Sequence, residues 1–358
     1  MSENKQDLLS LDPEEIREIL TSEGEPGYRA LQVFTALHRG LSPDEIGNIG
    51  KRAREILDRH TAYHLPKPVR KLVSAIDGTV KYLFELADGE CIESVVMRYE
   101  HGLTICVSSQ VGCRMGCRFC ASTIGGKVRD LLPGEILGQI IAAGKDLGER
   151  ISNVVMMGIG EPLDNFDNVI RFLHLLSVPE GINIGYRHIS LSTCGLADKI
   201  DKLADMGLPI TLSVSLHAPD DRTRDSIMPV NKKYPVDVLM ASCRNYFRKT
   251  GRRISFEYTL IAGKNDGEDQ ARTLSDMLNR HLRSRNETMP IHVNLIPVNP
   301  VKETGFERAS AAAVKRFASV LERHGIRATV RRRLGSDINA SCGQLRRAEA
   351  GAAKTGEG

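Results

Sequence analysis

From Leu103 onward the chain alternates short apolar runs with amphipathic helical stretches, and this alternation restricts the fold more than any other feature. The runs are Leu103–Ser108, Val154–Gly158, His188–Thr193, Ile210–His217, Ile254–Ile261, Ile291–Val298 and Ala328–Arg333. Segments of helical period lie between them, among them Pro133–Leu147, Phe166–Leu176 and Ala309–His324. Strands joined through helices run parallel, because a tight turn can only reverse the chain. About six such β–α units predict an α/β fold built as a partial TIM-like barrel. Active-site residues of such a barrel belong at the C-terminal ends of its strands. Polar residues gather there: Glu161, Ser192, Ser215, His217 and Asn299.

The preceding part has a different rhythm. Residues 1–66 read as helices with polar connections. Asp12-Pro13-Glu14-Glu15 offers an N-cap followed by proline at the first helical position. Ser42-Pro43-Asp44-Glu45 fits a capping box, and Leu31, Phe34 and Leu37, then Ala53, Ile56 and Leu57, recur at helical spacing. From Arg70 the period drops to two. Lys71–Ala75, Thr79–Leu86 and Cys91–Tyr99, separated by Asp77-Gly78 and Asp88-Gly89, predict a small meander with two Asp-Gly turns. The 358 residues suffice for one large α/β domain and a small accessory domain. The expected division is an accessory domain over 1–100, a barrel over 101–336, and a C-terminal loop and tail over 337–358. Gly, Ala, Glu, Lys and Thr after Arg347 predict disorder.

The loop after the first run holds Cys113-Arg114-Met115-Gly116-Cys117-Arg118-Phe119-Cys120, three thiols at C-x3-C-x2-C spacing. Thiolates this dense in one loop point to a metal. Gly112 and Gly116 allow positive φ, so the backbone can curl around an ion or cluster. Zinc would want a fourth Cys or His nearby, and His174 and Cys194 lie far downstream. Four-iron clusters are normally held by four thiolates, so three would leave one iron open to a small molecule. The candidates are an iron–sulfur cluster, a zinc site, or three buried cysteines acting as small hydrophobes.

Four further elements occur in order: Val107-Ser108-Ser109-Gln110-Val111-Gly112-Cys113, Gly158-Ile159-Gly160-Glu161-Pro162, Ser215-Leu216-His217-Ala218 and Ser341-Cys342-Gly343-Gln344-Leu345. With the cysteine spacing they resemble the RlmN/Cfr family of radical S-adenosylmethionine (SAM) RNA adenosine methyltransferases, from about Tyr28 to Arg347. The cysteine spacing alone carries only the radical SAM superfamily. The Cys-Gly-Gln-Leu element carries the family.

The resemblance implies an open (β/α)6 radical SAM barrel with an N-terminal RNA-binding accessory domain. It implies a four-iron, four-sulfur (4Fe–4S) cluster on Cys113, Cys117 and Cys120, with SAM chelating the open iron. Gly160, Glu161, Ser192, Ser215, Leu216, His217 and Asn299 are the implied SAM contacts. Cys342 is implied to carry a methyl group from one SAM, from which a radical made from a second SAM removes hydrogen before the carbon adds to the RNA base. An adenine ring carbon is a poor nucleophile with a hardly acidic C–H, so ordinary displacement on a sulfonium fails there. Cys106 is implied to break the resulting thioether, leaving a Cys106–Cys342 disulfide. Glu93 is the implied proton acceptor, and whether it or Cys106 takes the proton stays open. Cys91, Cys194 and Cys243 match no catalytic position and read as small buried hydrophobes.

Gly160-Glu161-Pro162 and the Ser341–Arg347 ending resemble the C2-methylating branch more than the C8-methylating one. The implied substrate is 23S rRNA at the peptidyl-transferase centre, with tRNA at the adenosine beside the anticodon as a further candidate. A one-electron donor such as flavodoxin or ferredoxin is implied as well. The rival of another class is a non-catalytic iron–sulfur RNA-binding module. Net charge is only +4, from 49 Lys+Arg against 45 Asp+Glu. The basic residues are nonetheless grouped: Lys67, Arg70 and Lys71; Lys232 and Lys233; Arg244, Arg248, Lys249, Arg252 and Arg253; Arg331, Arg332 and Arg333; Arg346 and Arg347. Displayed on one side, such groups would contact phosphates. The eight cysteines are grouped for ligation rather than spread as a disulfide framework, which fits a reducing compartment. No apolar run approaches the ~18 residues of a membrane span, and the polar N-terminus has no signal-peptide core. The expectation is a cytoplasmic protein with no membrane partner.

Overall fold

The computed structural model describes residues 5–283, 288–300 and 304–340. Cys342, the remainder of the Ser341–Leu345 element and the tail after Arg347 lie outside the described residues.

Helices α1 (Pro13–Ser22), α2 (Arg29–Leu37) and α3 (Gly50–His60) form the N-terminal cap. Asp12 Oδ1 accepts from the amides of Glu14 and Glu15, and Glu15 Oε2 accepts from the Asp12 amide, closing the start of α1. The Ser42 capping box also forms, but it caps only a short 3-10 turn, Pro43–Glu45, and α3 starts later at Gly50. On α2 the buried stripe is Ala30, Val33, Phe34 and Leu37; Leu31, expected on that face, is 44% exposed. Ala30 and Val33 fill the positions one turn before Phe34 and Leu37 that Leu31 was expected to share.

One ten-stranded sheet organises the rest. Its strands are β1 (Lys67–Val73), β2 (Val80–Glu85), β3 (Cys91–Tyr99), β4 (Gly102–Cys106), β5 (Ile151–Met156), β6 (Ile189–Thr193), β7 (Thr211–Ser215), β8 (Ile254–Leu260), β9 (Ile291–Pro297) and β10 (Arg327–Val330). Every strand lies beside its chain neighbour. β1 to β4 are antiparallel and β4 to β10 are parallel. The expected boundary at 100/101 therefore falls in the tight connection between two paired strands, Tyr99 opposite Gly102. The meander is the antiparallel margin of the barrel sheet, because β3 satisfies the free edge of β4.

The six parallel crossovers carry α4 (Pro133–Leu147), α5 (Phe166–Ser177), α6 (Ala197–Asp205), α7 (Asp221–Ile227) with α8 (Val236–Thr250), α9 (Glu268–Leu282) and α10 (Ala311–Arg323). The expected (β/α)6 arrangement is present, with β10 as a seventh parallel strand at its edge. Alternate strand residues such as Leu191, Leu212, Val214, Phe256 and Val293 are fully buried in the main apolar core.

The opposite face is polar. Ser190 lies 3.3 Å from Ser213, Ser255 2.9 Å from His292, and Asn294 donates to Glu257 Oε2 at 2.7 Å. A closed TIM barrel fills this space with branched aliphatic side chains. Small polar residues leave room instead, and a cavity of about 370 Å³ opens along the C-terminal strand ends. That volume suits a small-molecule ligand.

Candidate active site

The cysteine loop leaves β4 through a two-stranded ribbon, Gln110–Gly112 against Lys127–Asp130. Gly112 has φ +78, and a Cβ there would stand 2.0 Å from the Gly126 carbonyl oxygen. The loop is then held by its own backbone: the Cys113 amide donates to Gly126 O (3.0 Å) and the Cys120 amide to Cys117 O (3.0 Å). Gly116 has φ +70, as expected for a chain curling on itself. All three thiols line the cavity. Burial pushes the Cys113 thiol up to about 12 and the Cys117 thiol well above its usual range, so ligation has to displace their protons. Among the described residues no three His, Cys, Asp or Glu converge as the ligands of a single metal ion would. The corners of a four-iron cluster need no such convergence, and the donor set is the thiolate set that such clusters take. The flanking residues have definite roles: Arg114 pairs with Asp164, and Phe119 meets the His217 ring edge-on at 4.9 Å.

The turn after β5 is pinned to the loop after β4. The Glu161 amide donates to Gln110 Oε1 at 2.9 Å and the Ile159 amide to Ser108 Oγ at 3.1 Å. The glycines here serve this contact and not only a ligand's approach. A Cβ on Gly158 would meet Val107 O at 2.5 Å, and one on Gly160 would meet Gln110 Cβ at 2.6 Å. Glu161 is buried, which raises its carboxyl above the usual range. Its Oε2 accepts from the Cys194 amide at 2.7 Å and its Oε1 from the Leu163 amide at 3.1 Å. The Thr193 hydroxyl and the Cys194 thiol hydrogen-bond the same carboxylate, so its acceptor positions are held by protein donors.

Gly160, Glu161, Ser192, Ser215, His217 and Asn299 all line the cavity. Leu216 does not; its side chain is fully buried, and its amide donates to Glu257 O at 3.0 Å. His217 has φ +57, and its Nδ1 accepts from the Thr259 amide at 2.9 Å. Burial, with the Arg224 charge acting the same way, pushes the imidazole down to about 3. The ring is neutral, so its proton sits on Nε2 as a donor.

Cys106 lines the cavity from β4, opposite Val95 of β3. It belongs to a small apolar cluster with Val95 and Met97, against which Met157, Leu334 and Ala340 pack. Leu334 and Ala340, the latter two residues before Cys342 in sequence, thus pack against the cluster that contains Cys106. Cys342 itself lies outside the described residues. Four polar contacts seat this segment on the meander: Ser74 Oγ to Asp337 Oδ1 (2.7 Å), the Ala75 amide to Asp337 Oδ2 (2.9 Å), the Gly335 amide to Asp77 Oδ2 (2.8 Å), and Lys81 Nζ to Asn339 O (3.1 Å).

Glu93 shares its strand face with Val95 and Met97 but does not line the cavity. Both faces of β3 are covered, and the Glu93 carboxylate is buried against Lys81. Neither residue faces solvent. The sequence signal for Lys81 is a lysine inside the apolar strand Val80-Lys81-Tyr82-Leu83-Phe84. Lys81, Gln110, Glu257 and Arg224 were not among the residues expected at the site. Cys194 lines the cavity, Cys243 is fully buried, and Cys91 is half-buried at the start of β3.

The basic groups do not share one side. Arg331, Arg332 and Arg333 line the cavity, joined by Arg308. Arg252 bonds Ile210 O below the start of β7, and Lys249 pairs with Asp205; both lie toward the opposite end of the barrel. Arg346 and Arg347 lie outside the described residues. Among the described residues no helix is long and apolar enough to cross a membrane.

Residues 107–274 match the Radical SAM superfamily. A protein of Alkaliphilus oremlandii named probable dual-specificity RNA methyltransferase RlmN is 52% identical over 344 residues, 96% of this chain and 98% of its own. Its namesake in Clostridium novyi is 48% identical over 342 residues, 95% of this chain and 97% of its own. The crystal structure of a radical SAM methyltransferase from Sphaerobacter thermophilus is similar with a TM-score of 0.88 and 41% identity, over 95% of this chain and 98% of that one.

Proposed function

Since the chain belongs to the RlmN family of radical SAM RNA methyltransferases, we propose that it methylates C2 of adenosine in 23S rRNA at the peptidyl-transferase centre and in tRNA beside the anticodon. A 4Fe–4S cluster and SAM are its cofactors. When bound, they supply the one-electron chemistry that a poorly nucleophilic ring carbon requires.

The observation that carries the proposal is the shared cluster of Cys106 and Ala340 at the cavity wall. It supports two thiols meeting at one carbon. Cys113, Cys117 and Cys120 hold the cluster. Gly160, Glu161, Ser192, Ser215, His217 and Asn299, which line the cavity, would hold SAM, with His217 offering its Nε2 proton; Leu216, buried behind them, would act only through its backbone. Cys342 carries the methyl carbon to the base. The Cys106 thiolate then attacks the Cys342 sulfur, forming the S–S bond. The carbon–sulfur bond breaks, and its electron pair stays with the carbon, which takes up a proton. Glu93 accepts the ring proton, which requires its pair with Lys81 to open as substrate enters.

The target base must leave its stack, at a cost on the order of a few kcal/mol. Phosphate contacts to Arg308, Arg331, Arg332 and Arg333 and to the N-terminal domain offset it. A small one-electron donor such as flavodoxin or ferredoxin delivers the electron, and the cytoplasm, where both RNAs are found, is the proposed location. Nucleoside mass spectrometry of rRNA and tRNA from a deletion strain tests the assignment. 2-Methyladenosine should disappear from both and return on complementation; loss of 8-methyladenosine instead would overturn it.

A further inference from the structure

Arg224 on α7 is the largest of the fully buried side chains. Its Nη2 donates to Cys194 O at 2.7 Å and to Ser215 O at 3.2 Å, and its Nε donates to Leu216 O at 3.1 Å. Its Nη1 donates to Asn231 Oδ1 at 2.9 Å. These acceptors are all neutral oxygens. Asp221 and Asp225 are held one residue further off, by Asn231 Nδ2 at 2.9 and 2.8 Å. Among the described residues no carboxylate touches the guanidinium. A buried charge left in that state is costly unless an anion completes it.

The missing anion has a place. The cysteine loop rests on the end of α7, where the Arg118 amide donates to Ile227 O at 2.9 Å and Pro229 abuts Gly116. Cys194, whose carbonyl Arg224 holds at 2.7 Å, lines the same cavity as Cys113, Cys117 and Cys120. Three of the four carbonyls that Arg224 ties together end β6 and β7, where Ser215 and its neighbours meet the cavity; the fourth is Tyr234 O at 3.4 Å.

We propose that Arg224 is the fixed counter-charge of the cluster loop and also the positioning residue that sets the backbone of 194 and 215–216 for SAM. The proposal rests on the assignment of Cys113, Cys117 and Cys120 as cluster ligands. A cation held beside thiolate-bound iron favours the state with one more electron. It therefore raises the reduction potential without contacting substrate.

The test uses anaerobically reconstituted full-length enzyme, with iron content, SAM affinity and the cluster midpoint potential followed by electron paramagnetic resonance. Arg224→Gln should load iron yet show a more negative midpoint and roughly tenfold weaker SAM binding, as expected for losing well-placed charge-assisted hydrogen bonds. Arg224→Lys should keep the midpoint near that of the wild type while sharing the weaker SAM binding, which separates charge from positioning. A fully loaded Arg224→Gln protein with an unchanged midpoint overturns the proposal. Should Arg224→Gln not fold, Asp225→Asn removes a negative charge from behind Asn231 and should move the midpoint upward; no movement there overturns it equally. A wild-type protein that takes up no iron refutes the ligand assignment itself, whatever the Arg224 variants do.

Discussion

Lys81 Nζ lies 3.0 Å from Glu93 Oε2, and neither side chain is more than 1% exposed. The pair joins neighbouring strands of the meander, and the same ammonium donates to Asn339 O. One cation thus ties the proposed proton acceptor to the segment that leads toward Cys342.

Removing one member of such a pair takes from the other an opposite charge that compensates its burial. Lys81→Met should cost about 3–5 kcal/mol in urea unfolding of the apo protein. The double variant Lys81→Met/Glu93→Gln should recover much of that loss, because no charge is then left buried. A Lys81→Met protein as stable as the wild type would show that this pair does not hold the two strands together.

Cys106 lies in the wall that Ala340 packs against, so its thiol should act on a partner bound nearby. Cys106→Ala should start the reaction and fail to release it. Purified from cells, the variant should carry RNA joined through Cys342, seen on a denaturing gel as a nuclease-sensitive mass shift. Wild-type turnover with no adduct would refute the two-cysteine route.

The His217 imidazole is pushed down to about 3 from an ordinary 6.5, and His38 to about 4. The unfolded chain therefore binds protons first as pH falls. Stability from each ring is full above about pH 6.5 and is lost as pH drops toward the folded value. Between pH 7 and 4 the apo wild type should lose on the order of a few kcal/mol more than His217→Gln. Equal losses would mean that the ring is not held neutral.

Two glycines of similar φ separate conformational strain from collision. Gly89 has φ +82 and nothing within 4 Å of a built Cβ, whereas at Gly112 that Cβ would reach the Gly126 oxygen. Gly89→Ala should cost roughly 1 kcal/mol. Gly112→Ala should cost several times more, because the ribbon beneath Cys113 has to part, and iron uptake should fall with it. Calorimetry and iron analysis on the two variants check this.

Much of the barrel was legible in the chain. Pro133–Leu147 forms as a helix with the bounds its periodicity marks, and the apolar runs from Ile189 to Pro297 become strands to within one or two residues. Parallel strands and their covering helices bury local patterns, and local patterns are what a sequence displays. The cysteine spacing, the glycines at positive φ and the polar strand ends were legible for the same reason.

The meander's place in the barrel sheet, the division of basic groups between two ends and the reason for Gly158 and Gly160 came only with the fold. So did the partners of Lys81 and Arg224. Lys81 meets an atom 258 positions away, and Glu161 is fixed by Gln110 and Cys194 from two other strand ends. A charge inside an apolar strand can be read from the chain, but what neutralises it cannot, because the answer is set by which distant segments burial brings into contact. The sequence by itself determined the element order, the thiol set and the family. Tertiary packing decided which charges are buried together, and therefore which side chains can position the chemistry.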